Sequence, residues 1–212
     1  MSDKPKYTTR EEWLEAAVEL FRPLFKGKNR DIPAVKVSTG WPSRGGLAKN
    51  KRVLGQCWEK TASEDKATAQ IFISPLLVDP VDPWGVLSVL GHELCHAVAG
   101  PQQGHGKIFK TIGKELGLTG KAAHMIAGED LLERFKQWLA DLGPYPHQKI
   151  NPALSGVKKQ TTRMLKCICS CGCEYKVRMS RKLIENVGSP ISPCNKKSMT
   201  VEEPVETESD EE

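Results

Sequence analysis

Hydrophobic residues recur along this chain at two periods, and the switches between them lay out its elements. From Thr9 to Phe25, Trp13, Ala17, Leu20, Phe21 and Leu24 fall three or four apart, the spacing of one helical face. Thr9 stands where an N-cap belongs and Glu12 completes a capping box, so a helix is predicted over residues 9–25. Between Pro33 and Gly40, Val35 and Val37 alternate with polar neighbours, a strand pattern. Val53–Trp58 and Ala69–Ile73 read as two more strands, the last stopped by Ser74-Pro75. Asp82-Pro83 then looks like an N-cap followed by proline in the first turn. Leu87, Leu90, Leu94 and Val98 form the next helical stripe, which ends at Gly100-Pro101. Two further helices are predicted over Lys107–Leu116 and Glu129–Leu142, closed by Gly143-Pro144-Tyr145-Pro146. A helix, a short three-stranded sheet and then helices make an α+β order.

The second of these helices carries the candidate chemistry. His92-Glu93-Leu94-Cys95-His96 is an H-E-x-x-H run, and Gly104-His105-Gly106 follows the helix end. Three of the chain's five histidines sit in this stretch. At about 100° per residue, His92 and His96 lie about 40° apart and one turn from each other. Two imidazoles so placed can share a zinc ion, and Glu93 beside them can reach a water on that ion without being a ligand. Gly85, Ser88 and Ala99 are the small residues expected to keep that face open. His105 is the favoured third ligand, because glycines on both sides let the backbone turn back closely. Glu115, expected on the solvated side of the next helix, is its rival, and His124 is a weaker one. Cys95 is expected to be a buried, inert thiol, and Trp41 and Trp58 to pack in the core. Strand Ala69–Ile73, next to the motif helix, is a candidate to pair with an extended peptide.

Composition places this chemistry. With 212 residues and 39% hydrophobic content, one domain with a small appendage is expected. No apolar run approaches a membrane span, and Met1-Ser2-Asp3-Lys4-Pro5 is polar, which points to the cytosol. In that compartment the seven cysteines fit metal ligands better than disulfides. The net charge of +5 hides a split. Residues 202–212 hold seven acidic and no basic side chains and read as a disordered acidic tail, whereas residues 156–201 hold ten Lys/Arg against two Glu. A basic segment of that density can track phosphates, with Arg178, Arg181 and Lys182 as the candidate contacts. The alternative is an ordinary lysine-rich surface.

The thiols cluster in that basic segment. Cys167, Cys169, Cys171 and Cys173 stand close together, and Cys194 follows about twenty residues on, the separation of two zinc-ribbon knuckles. Three thiols from the first knuckle plus Cys194 would complete one structural zinc site. The expected organisation is therefore a catalytic domain over residues 7–148, a Pro/Gly/Ser/Lys-rich linker over 149–160, the basic ribbon-like segment over 161–200 and the acidic tail over 201–212.

The combination resembles the SprT-like metalloprotease family, and within it the bacterial and phage branch related to the Spartan DNA–protein crosslink proteases. The matching residues are His92-Glu93-Leu94-Cys95-His96-Ala97, then Gly104-His105-Gly106 with Phe109 three residues on. Gly40-Trp41-Pro42-Ser43, Gly55-Gln56-Cys57-Trp58, Ile71–Pro75, Leu142–His147 and Thr162–Lys166 add to the likeness, which covers roughly residues 7–200. It implies a zincin-like minimal metalloprotease domain with a C-terminal zinc ribbon. It also implies a bacterial cell, with or without a phage origin, as the setting. His92, His96 and His105 become ligands of a catalytic Zn²⁺ and Glu93 the general base. A protein or peptide becomes the substrate and DNA a partner. The chain departs from the family at the ribbon. The usual C-x-x-C is one residue longer as Cys169–Cys173, and Ser192 stands where the last knuckle's first cysteine is expected, so either Cys167 or Cys171 substitutes or the ribbon site is degraded.

Overall fold

The computed structural model describes residues 6–47, 52–77, 83–148, 150–151 and 164–202. Asp82 as a helix cap, Thr162 and Arg163, most of the 149–160 linker and the tail beyond Glu202 lie outside the described residues. The chain forms two compact units, Met1–Pro152 and Ala153–Glu212.

The first unit opens with α1 (Arg10–Lys26), which starts where it does because Thr9 and Glu12 satisfy each other's backbone donors in a full capping box. Trp13, Leu14, Ala17, Phe21 and Phe25 bury one face of it completely or nearly so. Three strands follow, β1 (Val35–Thr39), β2 (Gly55–Trp58) and β3 (Ala69–Ile73). Their order is β1-β3-β2, with β1 parallel and β2 antiparallel to β3. The last strand in sequence is thus central, which overturns Ala69–Ile73 as a docking edge, since both its sides are already paired. Among the described residues, β2 has the edge beside the motif helix that pairs with no further strand. Leu54 O accepts a hydrogen bond from Ser74 N at 2.8 Å, so by alternation Gly55 and Cys57 turn their backbone groups away from β3.

Helix α2 (Pro83–Ala99) packs Val86, Leu87, Leu90, Leu94 and Cys95 into the core beside Ile71 and Ile73, all essentially inaccessible. Cys95 is therefore the buried, small apolar thiol expected, and burial pushes its pKa up. Helices α3 (Lys107–Leu116) and α4 (Glu129–Leu142) have the bounds read from the sequence. Phe135 and Trp138 of α4 meet Phe21 at ring separations of 5.9 and 4.9 Å, which fastens α4 to α1. Between α3 and α4 lies a two-stranded ribbon, β4 (Leu118–Thr119) and β5 (Ile126–Ala127), that the hydrophobic pattern did not announce. Trp41 and Trp58 are 47% and 42% exposed and not core residues. Trp58 ends an edge strand whose other three residues are part-buried.

The second unit is an antiparallel sheet of β6 (Met164–Ile168), β7 (Lys176–Ser180) and β8 (Thr200–Glu202) in the order β7-β6-β8. Helix α5 (Arg181–Val187) follows β7, and Cys167, Cys169 and Met199 make its small core. No helix among the described residues is long and apolar enough to cross a membrane.

Leu94 tests how firmly α2 is anchored. Leu94→Ala should destabilise the first unit by about 3–5 kcal/mol in urea unfolding, because the tight core cannot close the gap. A loss below about 1 kcal/mol would show that the helix is held otherwise.

Candidate metal centre

Helix α2 presents His92 and His96 on the side away from its buried leucines. Gly100 ends the helix at φ 88°, with its N–H on His96 O at 2.9 Å. The chain makes one short turn through Pro101–Gln103 and reverses at Gly104, whose φ 48° and ψ −139° suit only glycine. His105 is thereby returned to the two helix histidines. His92 Nε2 and His96 Nε2 each lie 3.2 Å from His105 Nε2. Three nitrogens bonded tetrahedrally to zinc at about 2.05 Å stand about 3.3 Å apart, so both separations to His105 match the spacing that zinc requires, and all three ligand nitrogens lie within 4.8 Å of one another.

Phe109, fully buried on the first turn of α3, underlies all three rings. It stacks on His96 at 4.2 Å and meets His92 and His105 at 4.8 and 5.0 Å. Burial holds the His92 pKa down to about 4 and that of His96 to about 3, and neighbouring imidazoles add to the effect. His105 is lowered by the same two causes. All three rings are therefore neutral at pH 7 and offer lone pairs to a cation.

Glu93 is 5% exposed, and burial pushes its carboxyl pKa up to about 8 in the metal-free protein. The backbone N–H of Cys57, on the free edge of β2, hydrogen-bonds the carboxylate and pulls the other way. The carboxylate can lie against β2 only because residue 55 has no side chain. A Cβ on Gly55 would stand 2.6 Å from Glu93 Oε1 and 2.7 Å from Val89 Cγ1. A cleft of about 480 Å³ runs over this ensemble, with Gly55–Cys57 on one side and Ala123–Ile126 on another. A larger groove of about 620 Å³ between α1 and β1 contains none of these groups.

The remaining candidates separate clearly. Glu115 is half-buried and occupied by Arg30 at 3.2 Å, so it is neither solvated nor near enough to join the triad. His124 stays outside the triad but lines the same cleft. Ser88 does not keep the metal face open; it is buried, and its hydroxyl accepts from Ala127 N at 3.4 Å. Val89 takes the place beside the cleft that was assigned to small residues.

In the second unit four thiols converge, Cys169, Cys171, Cys173 and Cys194, with their sulfurs within 4.8 Å of one another. Cys167 is not among them. It alternates with Lys166 and Ile168 on β6 and points into the small core, fully buried. Cys171 substitutes instead, 3.1 Å from Cys169 Sγ and 3.2 Å from Cys194 Sγ. Hydrogen bonds from Cys169 first, and from the Cys173 backbone, hold the Cys171 thiol down to about 6. Sulfurs bound to one zinc at about 2.3 Å stand about 3.8 Å apart, so a modest opening of the cluster accommodates the ion. Ser192, fully buried at the position of the missing cysteine, donates to Cys169 Sγ at 3.0 Å and accepts from Cys194 N. It thus supports a ligand in place of being one. Nothing in the sequence pattern distinguishes Cys167 from Cys171; only strand alternation in the folded sheet does. Arg178 is exposed on β7, and Arg181 and Lys182 open α5.

A mixed sheet with an antiparallel edge strand, an H-E-x-x-H helix beside it and a third histidine returning through a glycine turn define the zincin-like class of α+β domain. Residues 15–126, more than half of the chain, match the SprT-like family, and the chain belongs to that family. No curated protein and no solved structure matches it.

Three substitutions probe these centres. Gly55→Ala should force Glu93 and Val89 aside and cost about 1–3 kcal/mol in unfolding free energy, with metal content unchanged; wild-type stability would mean that the carboxylate does not rest on β2. Metal analysis should find one equivalent fewer in Cys171→Ala but not in Cys167→Ala, and the reverse pattern would reassign the cluster.

Proposed function

We propose that this chain is a zinc-dependent endopeptidase. The observation that carries the reading is the meeting of the His92, His96 and His105 nitrogens around one point, with the Glu93 carboxylate beside them in an open cleft. A zinc ion held by the three imidazoles supplies a Lewis acid that acidifies water and polarises a peptide carbonyl. The protein's own groups do the rest. Glu93 takes a proton from the attacking water as the new C–O bond forms at the carbonyl carbon. It returns that proton to the amide nitrogen as the C–N bond breaks, so that one water is consumed and a carboxylate and an amine are left. A buried carboxyl with raised proton affinity suits a group that must hold a proton between two steps.

The free edge of β2 supports a peptide as substrate. The Gly55 backbone groups and the Cys57 carbonyl face the cleft side, where an extended chain can align along them, while the Cys57 N–H is taken by Glu93. In the second unit, Cys169, Cys171, Cys173 and Cys194 take a structural zinc on this reading. Proteins attached to DNA are the narrower substrate class. The ten Lys/Arg against two Glu in residues 156–201, with Arg178 and Lys182 exposed, favour it.

The test is digestion of casein and of histones by the zinc-loaded chain, with and without single-stranded DNA, beside Glu93→Gln. The parent is expected to cleave, and Glu93→Gln to keep its zinc and lose at least about 100-fold in rate. Equal cleavage by Glu93→Gln would remove Glu93 as the base. An inert parent with zinc bound would leave a DNA-associated zinc protein without proteolysis as the better reading.

A further inference from the structure

The cleft contains a fourth histidine that none of the roles above uses. His124 ends a short 3-10 turn, Ala122–His124, and is exposed on the wall formed by residues 123–126. It is close enough to His92 and His105 to bear on both electrostatically, whereas it is not among the groups that influence Glu93. Glu93 and His124 thus approach the triad from different walls, one tied to β2 and one carried by the β4–β5 ribbon.

That wall is held in place. Met125, next to His124, is buried and packs on Gly113 of α3 so closely that a Cβ there would come 2.9 Å from its sulfur. Two residues further on, Ala127 N–H reaches Ser88 Oγ, one turn ahead of His92 on the same helix. The ribbon begins from Gly117 and turns at Gly120, both with positive φ, 96° and 99°. The position of His124 is therefore set by the same helix that positions two of the triad histidines. An exposed ring on an anchored turn, facing a cleft, is a prepared hydrogen-bond donor.

We propose that His124 is a further catalytic residue of this site, donating a ring N–H to the oxygen of the scissile carbonyl as negative charge gathers there. The proposal rests on the endopeptidase reading and deepens it. His124 transfers no proton and forms no bond; it stabilises the tetrahedral arrangement from the wall opposite the general base's support. Donation of this kind acts on the transition state more than on bound substrate, so it appears in kcat and not in KM.

The experiment compares zinc-loaded wild type, His124→Ala and His124→Gln on labelled casein, with zinc content and the affinity for a phosphinic peptide, a tetrahedral mimic, measured on each. His124→Ala should keep its zinc, lose about 100-fold in kcat with KM nearly unchanged, and bind the phosphinic peptide correspondingly more weakly. His124→Gln, which keeps an N–H donor, should recover part of the loss. Wild-type kcat in His124→Ala overturns the proposal, and so does loss of zinc in that variant, because His124 would then serve the metal and not the carbonyl. Wild type that binds zinc but cleaves nothing defeats the endopeptidase reading itself, which keeps the two failures apart.

Discussion

Everything at the centre depends on bringing two neutral imidazole nitrogens, those of His92 and His96, each to 3.2 Å from that of His105 and keeping them there. Lone pairs at that distance repel unless a cation sits among them, so the scaffold has to hold the rings in place. It does so with three devices. Helix α2 sets His92 against His96 at one turn, Gly104 reverses the chain for His105, and Phe109 underlies all three rings. Burial contributes chemically as well as sterically, because it keeps the rings unprotonated at neutral pH. The anchoring of α2 through Leu87, Leu90 and Leu94 is thus the packing counterpart of the site on its other face.

Glu93 is caught between opposing forces. Desolvation favours its protonated form, and the Cys57 N–H favours the carboxylate. A group balanced in this way near neutrality can both accept and release a proton. Such balance needs a close approach of helix to strand, and the absent side chain at Gly55 permits it. The same edge strand therefore supports the Glu93 carboxylate and bounds the cleft.

Much of the fold was legible because its elements carry local signals. The capping box at Thr9 and Glu12, and the apolar stripes of Lys107–Leu116 and Glu129–Leu142, specify helices from short-range chemistry. The α+β character follows from their order. What escaped depends on contacts distant in sequence. The strand order β1-β3-β2 puts the last strand in the middle, which no periodicity reveals. The β4–β5 ribbon has two residues per strand, too few for a pattern, yet it carries His124 to the cleft. Trp41 and Trp58 look like core residues by composition but fall where little covers them. The motif histidines stood out because their spacing is helical and local, whereas the choice among five neighbouring thiols turned on Cys167 facing the small core from β6.

The second unit repeats the principle on a smaller scale. A core of Cys167, Cys169 and Met199 is too small to be held by apolar burial alone, and a four-sulfur cluster beside it offers a cross-link in its place. The central claim, however, concerns the three imidazoles, and anomalous diffraction at the zinc edge from crystals of the zinc-loaded chain tests it most directly. The account expects a peak about 2.0–2.1 Å from Nε2 of each of His92, His96 and His105. A zinc-loaded crystal with no peak there, or with the ion on other side chains, would contradict it.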